Sequence, residues 1–173
     1  MTCKMNSGLT QINWYGQNPR YGVTRAMKDA NANLLKQIFE RAQFLRLLGI
    51  ELVGFGDGWC ETKVHVTPTL EQQHGFVHAG VLMTLADHTC GGAAATMLPE
   101  GQDVITVENK VSFLRPASGA AVFCRGQVLR AGKSLIFTEG EVMVERDNKR
   151  LLVAKASSTL AVIPLRTPAP AES

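Results

Sequence analysis

From Val81 to Met97 the chain carries no proline and, Asp87 apart, no charge. The segment is dense in Leu, Met, Ala and Gly, so it reads as a helix buried nearly all round. A helix without a polar face cannot lie on a surface, and the rest of the chain must therefore wrap it. The carboxylate inside it needs a reason, because an ionised group in an apolar setting costs several kcal/mol unless it finds partners. Asp87 is a functional candidate before it is a packing accident.

What surrounds this helix changes period along the chain. Residues 1–28 contain Gly16, Asn18, Pro19 and Gly22 without periodicity and read as a leader arm. Asn33 to Leu48 places Leu34, Leu35, Ile38, Phe39, Ala42, Leu45 and Leu48 at helical spacing, and Gly49 stands where a helix C-terminus takes glycine. Ile50–Phe55 and Trp59–Val66 flank Gly56-Asp57-Gly58, a hairpin signal. Beyond Pro99-Glu100-Gly101, four long strand candidates follow: Val104–Leu114, Ala120–Arg130, Ser134–Glu145 and Leu151–Ile163. The order predicts an α+β domain over residues 29–164, an antiparallel sheet of about six strands wrapped around the buried helix, with 165–173 as a flexible tail. Gly80, Gly91, Gly92 and the alanines 93 to 95 fit it, since backbones that approach closely need small residues between them.

Composition narrows the function. At 173 residues and 45% apolar the chain can bury one real core. A net charge of +3 without a clustered basic face excludes a nucleic-acid footprint. Cys3, Cys60, Cys90 and Cys124 stand far apart with no metal-ligand spacing, which predicts reduced thiols acting as small buried hydrophobes. Met1 to Arg20 has no signal-like apolar stretch, and no run is long enough to span a membrane. The expectation is a cytoplasmic protein with no membrane partner, no metal and no resident cofactor.

The run His78-Ala79-Gly80, Asp87 nine residues after His78, and then Val111-Ser112-Phe113-Leu114-Arg115-Pro116-Ala117 together resemble the hotdog-fold thioesterases of the phenylacetyl-CoA (PaaI-like) group. The likeness spans roughly Leu45 to Ile163. Two positions depart from the group's pattern: His-Ala-Gly replaces His-Gly-Gly, and Gly91 stands one turn after Asp87 where related enzymes often carry Ser or Thr. The resemblance implies a hydrolase that cleaves an acyl-CoA thioester to free acid and coenzyme A. The backbone N–H groups of Ala79 and Gly80, at the positive end of the helix, would polarise the carbonyl. Asp87 would attack it or activate water, Gln72 would orient the water or the thioester oxygen, and His78 would shape the loop.

Spacing adds a constraint. Nine residues within one helix separate Asp87 from His78 by ~13 Å, too far to act on one carbonyl. That agrees with the resemblance, which implies an active site shared across a homodimer, paired again as a homotetramer. For substrate, the apolar Phe76, Leu82 and Met83 are candidates for the acyl pocket and His74 for a contact; Arg115, Arg130, Lys133 and Ser134 are candidates for the nucleotide phosphates. His88 is expected to pack and His65 to face solvent. A non-catalytic acyl-CoA-binding sensor and a hydratase on the same fold are the alternatives.

Overall fold

A computed structural model describes residues 29–146 and 149–165 of the chain. Its elements run α1 (Asp29–Arg41), α2 (Gln43–Leu48), β1 (Ile50–Gly56), β2 (Trp59–His65), α3 (Ala79–Ala95), β3 (Gln102–Phe113), β4 (Ala121–Ala131), β5 (Leu135–Arg146) and β6 (Lys149–Pro164). The leader at 1–28 lies outside the described residues, as does the tail beyond 165. The six strands form one antiparallel sheet in the order β1-β2-β4-β5-β6-β3, and α3 packs in its curl. This is the hotdog layout, and each expected strand lies within two or three residues of its observed bounds.

The reason α3 can sit so close is visible in the strand register. Cys60, Gly126, Gly140 and Ala156 pair successively across β2, β4, β5 and β6, forming a row of small residues under the helix. A Cβ at Gly126 would stand 2.7 Å from the Thr89 carbonyl oxygen of α3, and one at Gly140 3.1 Å from Cys90 Sγ. The helix answers with Ala86, Cys90, Ala93, Ala94 and Ala95, all fully buried. Overpacking such a contact costs about 1–3 kcal/mol. Gly126→Ala is therefore expected to lower the unfolding free energy by that amount, read as a lower denaturant midpoint at unchanged slope; an unchanged midpoint would mean that helix and sheet are not held this tightly.

Two expectations need correction. The helix foreseen over Asn33–Leu48 is two helices, broken at Ala42, whose ψ of 90° leaves the helical region. The break lets buried Leu35 and Leu45 point into different halves of the core, one against Cys60 and Ala93–Ala95, the other with Val64 and Leu85. Gly49, with φ of +71°, closes α2 as foreseen, its N–H bonded to the Arg46 and Leu45 carbonyls. Second, α3 is not covered all round. Gly80 and Met83 are exposed and Thr84, Asp87, His88 and Gly91 half-buried, a stripe at helical spacing that this protomer leaves open. Gly92 serves close packing, with Cys60 Sγ 2.9 Å from where its Cβ would be, whereas Gly80 and Gly91 belong to the open stripe.

Candidate active site

The candidate residues fall into two separate places, one at the N-terminus of α3 and one two turns along it. The loop before the helix folds on itself: Gln72 N–H donates to Phe76 O at 2.7 Å, Gly75 N–H to Gln72 O at 2.9 Å, and Gly75 takes the left-handed φ of +74° that the turn demands. Gln72 Oε1 accepts from His74 N–H at 2.7 Å, which leaves the side-chain amide NH2 as the donor group of Gln72. Val77 N–H donates to Ala117 O, tying the loop to the segment after β3.

His78 is the N-cap. Its extended backbone (φ −62°, ψ 138°) turns into the helix, and its Nδ1 accepts from Gly80 N–H at 3.0 Å. Gly80, foreseen as a second oxyanion donor, thus spends its N–H on the cap. Ala79 N–H, at the first helical position, has no partner among the described residues and is exposed. It opens on a groove of about 540 Å³ lined by Gln72, Phe76, His78, Ala79, Leu82 and Arg115 among others. The Arg115 guanidinium is anchored on Leu152 O at 2.9 Å, so it borders the groove with its charge fixed in place.

Asp87 lies elsewhere, on the open stripe. Its Oδ1 accepts from the Thr106 hydroxyl on β3 at 2.9 Å. It borders a second cavity, of about 180 Å³, which shares no residue with the groove. Thr106 was not anticipated: a lone threonine in a strand is ordinary sequence, and only the inward phase of β3, with Thr106 opposite buried Leu160, aims its hydroxyl at the helix. Eight residues of helix hold Asp87 about 12 Å from Ala79 within one chain.

The other candidates divide. Gln72, Phe76, Leu82 and Arg115 come together at the groove, while Met83 and His74 do not line it: Met83 faces outward on the stripe and His74 is exposed on the loop. Arg130, Lys133 and Ser134 lie at the far end of the sheet. Leu135, next to Ser134, is in register through Ala161 with Ile105, some 25 Å of strand from the Phe113 end of β3, where Arg115 follows. No single protomer gathers all the basic candidates at one mouth.

Cys60, Cys90 and Cys124 are buried and free; burial is the main cause that pushes the Cys60 thiol up to about 12 and raises the other two. They are inert packing groups. His88 packs edge-on against Phe39 of α1, centroids 4.7 Å apart, and burial lowers its pKa against the opposing pull of Asp87. His65 is exposed as expected. Among the described residues no group of three or more His, Cys, Asp or Glu could hold a metal ion, and no helix is long and apolar enough to cross a membrane.

Comparison with known proteins places this geometry. The model of the thioesterase superfamily matches residues 74–150, which hold the loop from His74 on, α3 and β3 to β5. A thioesterase family protein of Silicibacter pomeroyi superposes with a TM-score of 0.76 at 32% identity, covering 78% of this chain and 98% of that one. The 1,4-dihydroxy-2-naphthoyl-CoA hydrolase of Listeria monocytogenes is 27% identical over 115 residues, 66% of this chain and 91% of that protein. The PaaI protein of E. coli, from the phenylacetic acid degradation operon, shares the fold at a TM-score of 0.70 and 22% identity, over 80% of this chain and 96% of its own. With a relative 32% identical matched over 98% of that protein's length, the chain belongs to the thioesterase superfamily and has its hotdog fold.

Proposed function

We propose that the protein hydrolyses an acyl-CoA thioester to free acid and coenzyme A, at sites each built from two copies of the chain. The observation that carries this is the division of labour along α3: a free N–H at Ala79 beside Gln72 and Arg115 at one position, and the carboxylate of Asp87, held by Thr106, about 12 Å further on. Ala79 of one protomer polarises the thioester carbonyl, and Asp87 of the other attacks that carbon or takes a proton from the attacking water. Arg115 at the groove is suited to the phosphates of the leaving group. That a Listeria relative is a hydrolase of a CoA thioester supports the substrate class.

The second copy has a natural seat. β3 is an edge strand with Ile105 56% and Val107 64% exposed, and an unpaired edge of this length invites another strand. Antiparallel pairing of two β3 strands is self-complementary and sets the open stripes of the two α3 helices side by side. It also brings the Arg130, Lys133 and Ser134 end of one protomer towards the Arg115 end of its partner. A homodimer is the unit of function, and pairing of dimers gives a homotetramer. Three buried, unpaired thiols suit a reducing cytoplasm.

The test is release of free thiol from a panel of aryl and aliphatic acyl-CoA esters. Hydrolysis of at least one ester at an enzymatic rate is expected. Binding without thiol release would identify a sensor instead, and a change in enoyl absorbance a hydratase.

A further inference from the structure

The cavity beside Asp87 is walled by Ile38 of α1, by His88, Gly91 and Gly92 of α3, by Val104 of β3 and by Leu160 of β6. Its two glycines differ in what they do for the fold. Gly92 is obligatory: a Cβ there would press on Cys60 Sγ at 2.9 Å and Leu35 Cδ1 at 3.3 Å. Within its own chain Gly91 is not, for its nearest neighbour there would be Leu160 Cδ2 at 3.8 Å, an ordinary contact, and its backbone is plainly helical. Glycine in a helix interior is markedly less favourable than alanine, so a glycine that its own chain does not require answers a need on the open side of the helix. Gly91 follows Asp87 by four residues, which sets the two on the same face. What the glycine leaves behind is space next to the carboxylate.

We propose that this space receives the acyl group and that Gly91 fixes the size of acyl group the enzyme accepts. This rests on the thioesterase reading above and adds a specificity-determining residue to it. A cavity of about 150 Å³ is enough for benzene. At about 180 Å³ the one beside Asp87 takes a single ring or a comparably compact chain, and its wall at His88 carries a buried Nε2 with no hydrogen-bond partner among the described residues. A side chain at 91 would take up part of that volume at the end nearest the reacting carbon.

The experiment compares the full-length protein with Gly91→Ala, using acetyl-CoA and benzoyl-CoA for thiol release and a thermal melt for stability. The ratio of kcat/KM for benzoyl-CoA to that for acetyl-CoA is expected to fall at least about tenfold, the range that one methylene commands in a fitted pocket. The thermal melt checks that the variant folds as the parent does, so that the change in ratio reads the pocket and not the fold. An unchanged ratio in a folded variant overturns the inference while thiol release by the parent protein keeps the thioesterase reading intact. No thiol release by the parent protein from any ester overturns that reading, and the inference with it.

Discussion

Asp87→Asn is expected to lower kcat/KM for thioester hydrolysis by at least about a hundredfold, within the range that a positioned general base or nucleophile contributes. The substitution separates chemistry from structure cleanly. Thr106 donates its hydroxyl hydrogen to Asp87 Oδ1, and an asparagine Oδ1 can accept the same hydrogen bond in the same place. The residue is half-buried, so the exchange leaves no desolvated orphan behind, and the melting midpoint should stay close to that of the parent. What is lost is the negative charge that attacks the carbonyl carbon or removes the proton from water. Thiol release from the best ester of the panel measures it. A loss smaller than about tenfold with the fold intact would remove Asp87 from the chemistry and leave it as an interface hydrogen bond.

The sequence made α3 legible because its constraint is extreme: an apolar run with one charge admits few environments. The four long strands were legible for a related reason, since each is bounded by Pro, Gly or Asn turns that no helix tolerates. What did not show was anything decided by phase or by contact across the sheet. The helical spacing from Leu34 to Leu48 continues smoothly through Ala42, so nothing local announces a break; the two halves of the core on either side impose it. The open stripe of α3 escaped notice because Gly80, Thr84 and Gly91 look as buriable as Ala86 or Ala93. Only the register of Cys60, Gly126, Gly140 and Ala156 decides which face the sheet covers. At the site, the motif located the N-terminal turn, but it could not say that the His78 ring would claim Gly80 N–H and leave Ala79 as the free donor. That the basic candidates would not meet within one protomer was hidden for the same kind of reason: Arg115 and Lys133 both follow strand ends, and the ends are opposite ones.

The backbone at Ala79 permits a test that side-chain substitutions rarely allow, because the group to be deleted is an N–H. Proline is well tolerated at the first position of a helix, where the N–H has no intrahelical acceptor in any case. The residue before a proline must be extended, and His78 already is, with ψ at 138°. Ala79→Pro should therefore fold with a midpoint near the parent value while losing the donor that faces the groove, and kcat is expected to drop about a hundred- to a thousandfold, as for the loss of one oxyanion-hole donor. Two variants, each inactive for its own reason, then report on where the site lies. A purified heterodimer of one Ala79→Pro chain and one Asp87→Asn chain has, across a two-fold interface, one site carrying both changes and one carrying neither. It should recover about half of the parent activity, since the intact site turns over on its own. If Ala79 and Asp87 instead served the same carbonyl within one chain, every site in that heterodimer would carry a defect, and its rate would stay at the level of the two inactive parents. Recovery thus measures directly what the 12 Å of helix implies, that neither protomer can complete the reaction alone.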